Sequence, residues 1–162
     1  MKRIIDWAAL GLASCLFLTY LPAALRRGAR WTGAGLIGTL AGLATVRALR
    51  PEALAQAAVL TGLFLISVAV SDRAEQLMRV ADDPRIVIDE WIGYWVSVAF
   101  LPHTWFVLGL GAVLFRVFDV WKPGPIAQAA RWPGGWGIVM DDVAAGVLAN
   151  LCLRVLRYIY PL

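Results

Sequence analysis

The stretch Ile86-Val87-Ile88-Asp89-Glu90-Trp91-Ile92-Gly93 places two adjacent carboxylates in a run that is otherwise apolar on both sides. Taking an ionised carboxylate out of water costs several kcal/mol unless it is paired or bound to a cation. The anomaly recurs further along the chain. Asp119 lies in Leu114-Phe115-Arg116-Val117-Phe118-Asp119-Val120-Trp121-Lys122, and Asp141-Asp142 lie in Ile138-Val139-Met140-Asp141-Asp142-Val143-Ala144-Ala145-Gly146. Apolar segments that each carry acid are expected to pack together, with the acids converging on one divalent cation.

Composition says where such a bundle sits. Of the 162 residues 60% are hydrophobic and the mean hydropathy is +0.71, above the roughly 45–50% apolar content of an ordinary soluble domain. The chain reads as one domain, residues 1–162, in or on a membrane. Uncharged runs from Trp7 to Leu25, Ala53 to Ser71 and Trp91 to Phe115 compare with the ~17–25 residues a helix needs to span a bilayer. The last run is broken by Leu101-Pro102-His103-Thr104 and reads as two short helices. The 15 Lys and Arg against 11 Asp and Glu leave a net charge of +4. Lys2, Arg3, Arg26, Arg27, Arg30, Arg47 and Arg50 bracket apolar segments, which suits anionic lipid headgroups. A nucleic-acid partner is not expected, because that needs a solvated basic face with interleaved aromatics. Trp7, Trp31, Trp105, Trp121, Trp132 and Trp136 fall near segment ends, as in an interfacial belt. Cys15 and Cys152 lie far apart inside apolar runs, so no disulfide framework is expected.

The N-terminus imitates a secretion signal, with Met1-Lys2-Arg3 before an apolar run and a lipoprotein-like Leu12-Ala13-Ser14-Cys15. Asp6 interrupts that run and its length to Leu25 exceeds a signal core. A retained membrane helix over residues 4–25 is therefore predicted. About six helices are expected in all, this one being followed by 31–49, with Gly38 and Gly42 spaced for close packing in lipid; 52–70, with a solvated continuation through Arg79; one carrying Asp89 and Glu90; 104–122; and 138–160. A short amphipathic piece over 126–132 joins the last two. Ala81-Asp82-Asp83-Pro84 reads as a turn whose acids cap the next helix. Pro133-Gly134-Gly135-Trp136-Gly137 reads as a loop whose glycines let backbone approach a ligand.

Asp89, Glu90, Asp119, Asp141 and Asp142 offer hard oxygen ligands, and the single histidine, His103, lies on a different loop. That donor set favours Mg²⁺ over zinc. Neighbours on a helix point about 100° apart, so each acid pair supplies one direct ligand and one supporting group. Arg116, Asp119 and Lys122, three apart, share a helical face, and two cations beside a metal suit a phosphate. The competing reading makes the acids structural ion pairs, Asp119 with Arg116 or Lys122. Acids inside membrane segments favour function because of their cost.

Together these stretches resemble the phosphatidylglycerophosphatase A family of bacterial membrane lipid phosphatases. The likeness is carried by Ile86–Gly93, by Phe115-Arg116-Val117-Phe118-Asp119-Val120-Trp121-Lys122-Pro123-Gly124-Pro125-Ile126, and by Gly134-Gly135-Trp136-Gly137-Ile138-Val139-Met140-Asp141-Asp142-Val143-Ala144-Ala145-Gly146. It implies an all-α integral membrane bundle at the bacterial inner membrane, active on its cytoplasmic side. The implied reaction is Mg²⁺-dependent hydrolysis of the phosphomonoester of phosphatidylglycerophosphate. Asp89, Glu90 and Asp142 are the expected catalytic acids, with Asp119 and Asp141 also toward the metal. Arg116, Lys122, Gly38 and Thr39 are expected to bind substrate. Where the family has a Pro-Gly-Thr-x-Gly-Ser/Thr-Leu motif, this chain has Ala34-Gly35-Leu36-Ile37-Gly38-Thr39-Leu40, with Leu36 for the threonine and Ala34 for the proline. That departure keeps two rivals in view: a phosphatase for another lipid phosphomonoester, and an inactive homologue serving as scaffold or lipid-binding module.

Overall fold

A computed structural model describes residues 2–25, 33–49 and 52–160. Arg26, Arg27, Arg30, Trp31, Thr32, Arg50 and Pro51 lie outside the described residues. The elements are α1 (Lys2–Ala13), α2 (Tyr20–Leu25), α3 (Ala34–Thr45) with a following 3-10 turn (Val46–Ala48), α4 (Ala53–Met78), α5 (Ile88–Ser97), α6 (Trp105–Trp121), α7 (Gly124–Ala129) and α8 (Gly135–Ile159). The expected all-α fold is present, with no strand among the described residues.

The short α5 is the centre of the bundle, enclosed by α3, α4, α6 and α8. Glycines set its closest crossings: a Cβ on Gly93 would meet the Phe115 ring and the Asp142 carbonyl oxygen, and one on Gly146 would meet the Gly93 backbone. Tyr94, Val98, Leu108, Phe115 and Leu153 form the fully enclosed core between α5, α6 and α8. Polar ties fix the register at the far end. The Tyr94 hydroxyl donates to Leu108 O at 3.1 Å, and the Trp95 indole donates to Gly42 O at 2.8 Å. Asn150 Nδ2 donates to Val96 O, Ser97 O and Ala99 O at 3.2, 3.1 and 3.0 Å, closing the carbonyl end of α5.

Only α4 is long and apolar enough to cross a membrane among the described helices. It takes up the predicted span and its solvated continuation as one helix of 26 residues. The predicted helix over 4–25 is instead two short ones. Between them Cys15, Leu16 and Phe17 adopt φ of 47, 57 and 66°. The Ser14 hydroxyl folds back onto Leu10 O at 2.6 Å and accepts from Phe17 N–H, a local bond that competes with helix propagation. The break also anchors the entry to α5: Val87 N–H donates to Ala13 O at 2.7 Å, and the Thr19 hydroxyl donates to Arg85 O at 2.7 Å.

Two further expectations are corrected. The α5 N-cap is Val87, without a side-chain bond; Asp83 binds Arg85 instead, accepting from its backbone N–H at 3.0 Å and its guanidinium at 2.6 and 2.8 Å. Gly135 and Gly137 belong to the first turn of α8. A Cβ on Gly135 would strike α4 at Val68 O and Asp72 N, and one on Gly137 would strike Trp132 O, so these glycines serve packing.

Candidate metal centre

The first turn of α5, the last turn of α6 and the second turn of α8 meet at one end of the bundle. Asp89, Glu90 and Asp142 each present a carboxylate oxygen there, and these atoms lie within 4.8 Å of one another. Asp89 and Asp142 are 7% and 3% exposed. Asp89 Oδ1 and Glu90 Oε2 are enclosed without a hydrogen-bond partner. Two buried carboxylates and a half-buried one at that spacing repel one another, and orphaned oxygens lose their hydration without return. A hard divalent cation relieves both costs and takes oxygen ligands of this kind, so the residues fit a metal.

The five predicted acids divide into two roles. Asp119 Oδ2 lies 2.8 Å from Arg116 Nη1, which is also 3.7 Å from Glu90 Oε1. Asp141 Oδ2 lies 2.5 Å from Lys122 Nζ. Asp119 and Asp141 thus hold the two cations at the edge of the Asp89–Glu90–Asp142 cluster. Lys122 caps α6 in the left-handed region, at φ 45°, which turns it from its helix toward α8. Burial pulls the Lys122 ammonium pKa down, but the charge and hydrogen bond of Asp141 outweigh it and hold it above its ordinary value.

Helix α3 closes the site from the side. A Cβ on Gly35 would run into Glu90 Oε1 and Arg116 Nη1, and one on Gly38 would meet Val87 O and Glu90 Cβ. Gly38 is thus a close-approach position. The Thr39 hydroxyl donates to Gly35 O at 3.1 Å, on its own helix, and Leu36 faces outward with 51% exposure. Sequence reasoning passed over Gly35, although it heads the stripe that Gly38 and Gly42 continue. It also passed over Arg79 and Asp82, which line a cavity of about 410 Å³ against Asp141. Only their place just before the acidic stretch signals them. His103 lies elsewhere, with Leu49, Gln56 and Phe100 around a second cavity.

The family model for phosphatidylglycerophosphatase A matches residues 12–157. The chain belongs to the phosphatidylglycerophosphatase A family. Among curated relatives it is 38% identical over 103 residues to phosphatidylglycerophosphatase A of Escherichia coli (strain K12), covering 60% of this chain and 58% of that one. It is 37% identical over 82 residues to a putative phosphatidylinositol-3-phosphatase of Bacteroides thetaiotaomicron, covering 48% and 51%. It is 32% identical over 97 residues to phosphatidylglycerophosphatase A of Haemophilus influenzae, covering 59% and 60%. The aligned region spans between half and three fifths of each relative's length. No solved structure matches. Within the family, the acid cluster and its two flanking cations are the features of this chain that bear on chemistry.

Proposed function

We propose that this protein is a Mg²⁺-dependent phosphatase that hydrolyses the phosphomonoester of phosphatidylglycerophosphate to phosphatidylglycerol and phosphate. The observation that carries the reading is the Asp89–Glu90–Asp142 cluster, with oxygens within 4.8 Å of one another and two of them buried without partners. Asp89, Glu90 and Asp142 hold the cation. A divalent cation held by these residues would neutralise phosphoryl oxygens and lower the pKa of an attacking water. Lys122 and Arg116 receive the phosphate oxygens that face away from the cluster, while Asp141 and Asp119 keep them in place. Glu90, near the Arg116 guanidinium, orients that group as well. Gly38 and Thr39 act through the seat of α3 on α5, which shuts water out behind Glu90.

The family relation supports the substrate class. The names of the relatives denote lipids in which a phosphomonoester sits on a polyol headgroup, and the apolar surface of this chain gives such a lipid a bilayer to arrive from. Our reading puts the protein at the bacterial inner membrane as a multi-pass bundle with its acid end on the cytoplasmic side.

The test is phosphate release from phosphatidylglycerophosphate by purified protein in detergent, with Mg²⁺ or with chelator, beside Asp89→Asn. Wild-type turnover should vanish with chelator, and the variant should lose more than about 100-fold in kcat. Mn²⁺ binding followed by electron paramagnetic resonance should weaken in the same variant. An Asp89→Asn protein that is folded and fully active would rule this reading out. Turnover of phosphatidylinositol 3-phosphate in preference would transfer the assignment to that lipid.

A further inference from the structure

We propose that the cavity beside Asp141 receives the part of the substrate beyond its reacting phosphomonoester, and that Arg79 binds a phosphodiester there. The inference rests on the phosphatase reading above and names how that site selects its lipid. The cavity, about 410 Å³, is lined by Glu75, Arg79, Asp82, Trp132, Gly134 and Asp141 among others. Asp141 is common to both places: one carboxylate oxygen holds Lys122 at 2.5 Å, and Asp142 of the metal cluster follows it on α8. Asp141 is the shared wall, and in this proposal a phosphate gripped by Lys122 directs the rest of its molecule past that carboxylate toward the cavity.

The cavity's charges then select a chemistry. Glu75, Asp82 and Asp141 accept hydrogen bonds from hydroxyls, which suits a polyol, and Asp141 carries Lys122 as its counter-charge. Arg79 is its one cation among the described residues. Arg73, Arg85, Arg116 and Lys122 each sit on a carboxylate, whereas Arg79 makes no ion pair or side-chain hydrogen bond among the described residues. Its backbone is also unusual. Arg79 ends α4 in the left-handed region, at φ 56° and ψ 28°, where glycine is the ordinary choice. Asp82 follows at φ 48°, with its N–H on Glu75 Oε1 at 3.1 Å. A non-glycine residue in that conformation, at a cavity rim, points to a task for its side chain. Phosphatidylglycerophosphate offers the matching parts in order: phosphomonoester, hydroxyl-bearing glycerol, phosphodiester, acyl chains.

The experiment compares wild type, Arg79→Gly and Arg79→Lys on short-chain phosphatidylglycerophosphate and on phosphatidic acid with the same acyl chains, in neutral detergent with Mg²⁺. Glycine is relaxed at this φ, so the Arg79→Gly protein folds. It should lose about tenfold in kcat/KM on phosphatidylglycerophosphate, through KM, with no change on phosphatidic acid, and Arg79→Lys should keep most of the activity. Calorimetric binding of glycerophosphoglycerol, which needs no turnover, should weaken in parallel. An equal effect on both lipids, or none on either, overturns the proposal. So does a loss seen only when anionic lipid is added to the micelles, which would make Arg79 a contact to the bilayer surface. A wild type without phosphatase activity that still binds glycerophosphoglycerol through Arg79 would sink the phosphatase reading and keep the phosphodiester contact of Arg79 alone.

Discussion

Lys122 and Asp141 share one ion pair of unequal exposure, 37% and 7%, so the carboxylate has more to lose than the ammonium. Lys122→Met should lower stability by about 1–3 kcal/mol, because Asp141 is left enclosed without its donor. Lys122→Met with Asp141→Asn should recover much of that in thermal unfolding, since an amide tolerates burial better than a lone charge, while phosphatase activity stays low in both. Asp83 gives a pH-dependent counterpart away from the acid cluster. Burial alone pushes its carboxyl up, but the hydrogen bonds and charge of Arg85 outweigh it and hold it below its ordinary range. The unfolded chain then binds the proton more readily than the folded one, so stability rises with pH across this window. The contribution is complete above the unfolded carboxyl pKa of about 3.9 and disappears as pH falls through the lower folded value. Asp83→Asn should flatten the acid limb of Tm against pH and leave the neutral limb parallel to wild type, lower by a near-constant amount. The sequence showed which acids were out of place, because a carboxylate in an apolar run is costly wherever it lands. It did not show their division. Asp141 looks like Asp142 in the chain, and only three-dimensional proximity gives it Lys122, whereas Asp119 has Arg116 three residues away on its own helix and that pairing was open to a reading of the sequence.

At the scale of the element, the site depends on how closely α3 can lie on α5. A Cβ on Gly38 would stand 3.0 Å from Val87 Cβ and 3.1 Å from Glu90 Cβ, with Val87 O nearer still. All are parts of a packed helix start that cannot swing away. Gly38→Ala should cost about 1–3 kcal/mol and weaken Mn²⁺ binding, since α5 must shift to admit the methyl group. Gly62 on α4 is the control, because a Cβ there meets nothing within 4 Å. Gly62→Ala should raise Tm by an amount corresponding to at most about 1 kcal/mol, through helix propensity, with activity unchanged. Helix boundaries were legible wherever proline or a change of polarity marks them: Pro102 before α6, Lys122-Pro123 after it, and Arg79 at the end of α4. The break after Ala13 was not. Its residues, Ser14 to Phe17, belong to an apolar run, and it is held by bonds to Arg85 and Val87, some seventy residues away along the chain. A pattern read over a window of neighbours has no access to such partners.

For the whole molecule, the direction of α4 decides which face of a membrane the acids address. Its 26 residues rise about 39 Å at ~1.5 Å each, enough to cross a hydrocarbon layer of about 30 Å. Leu54, Val59, Leu65 and Ile66 on its first two thirds face outward from the protein, which is tolerable against lipid. Asp72, Arg73, Glu75 and Gln76 crowd its last turns, where Arg73 pairs with Asp6 of α1 and Gly135 N–H donates to Asp72 at 3.3 Å. The acid cluster belongs to that same end, whereas Gln56, near the start of α4, accepts from Phe100 N–H beyond the opposite end of α5. If the acid end faces the cytoplasm, Gln76 and Glu52 lie on opposite sides of the bilayer. With Cys15 and Cys152 replaced by alanine, Gln76→Cys should react with a membrane-impermeant maleimide in inverted vesicles and not in intact spheroplasts, and Glu52→Cys should do the reverse. Reversal of both patterns would put the acids on the outer face. Labelling of both positions from one side would mean that α4 does not span at all, and that the bundle lies on the membrane with its apolar flank in the headgroup layer.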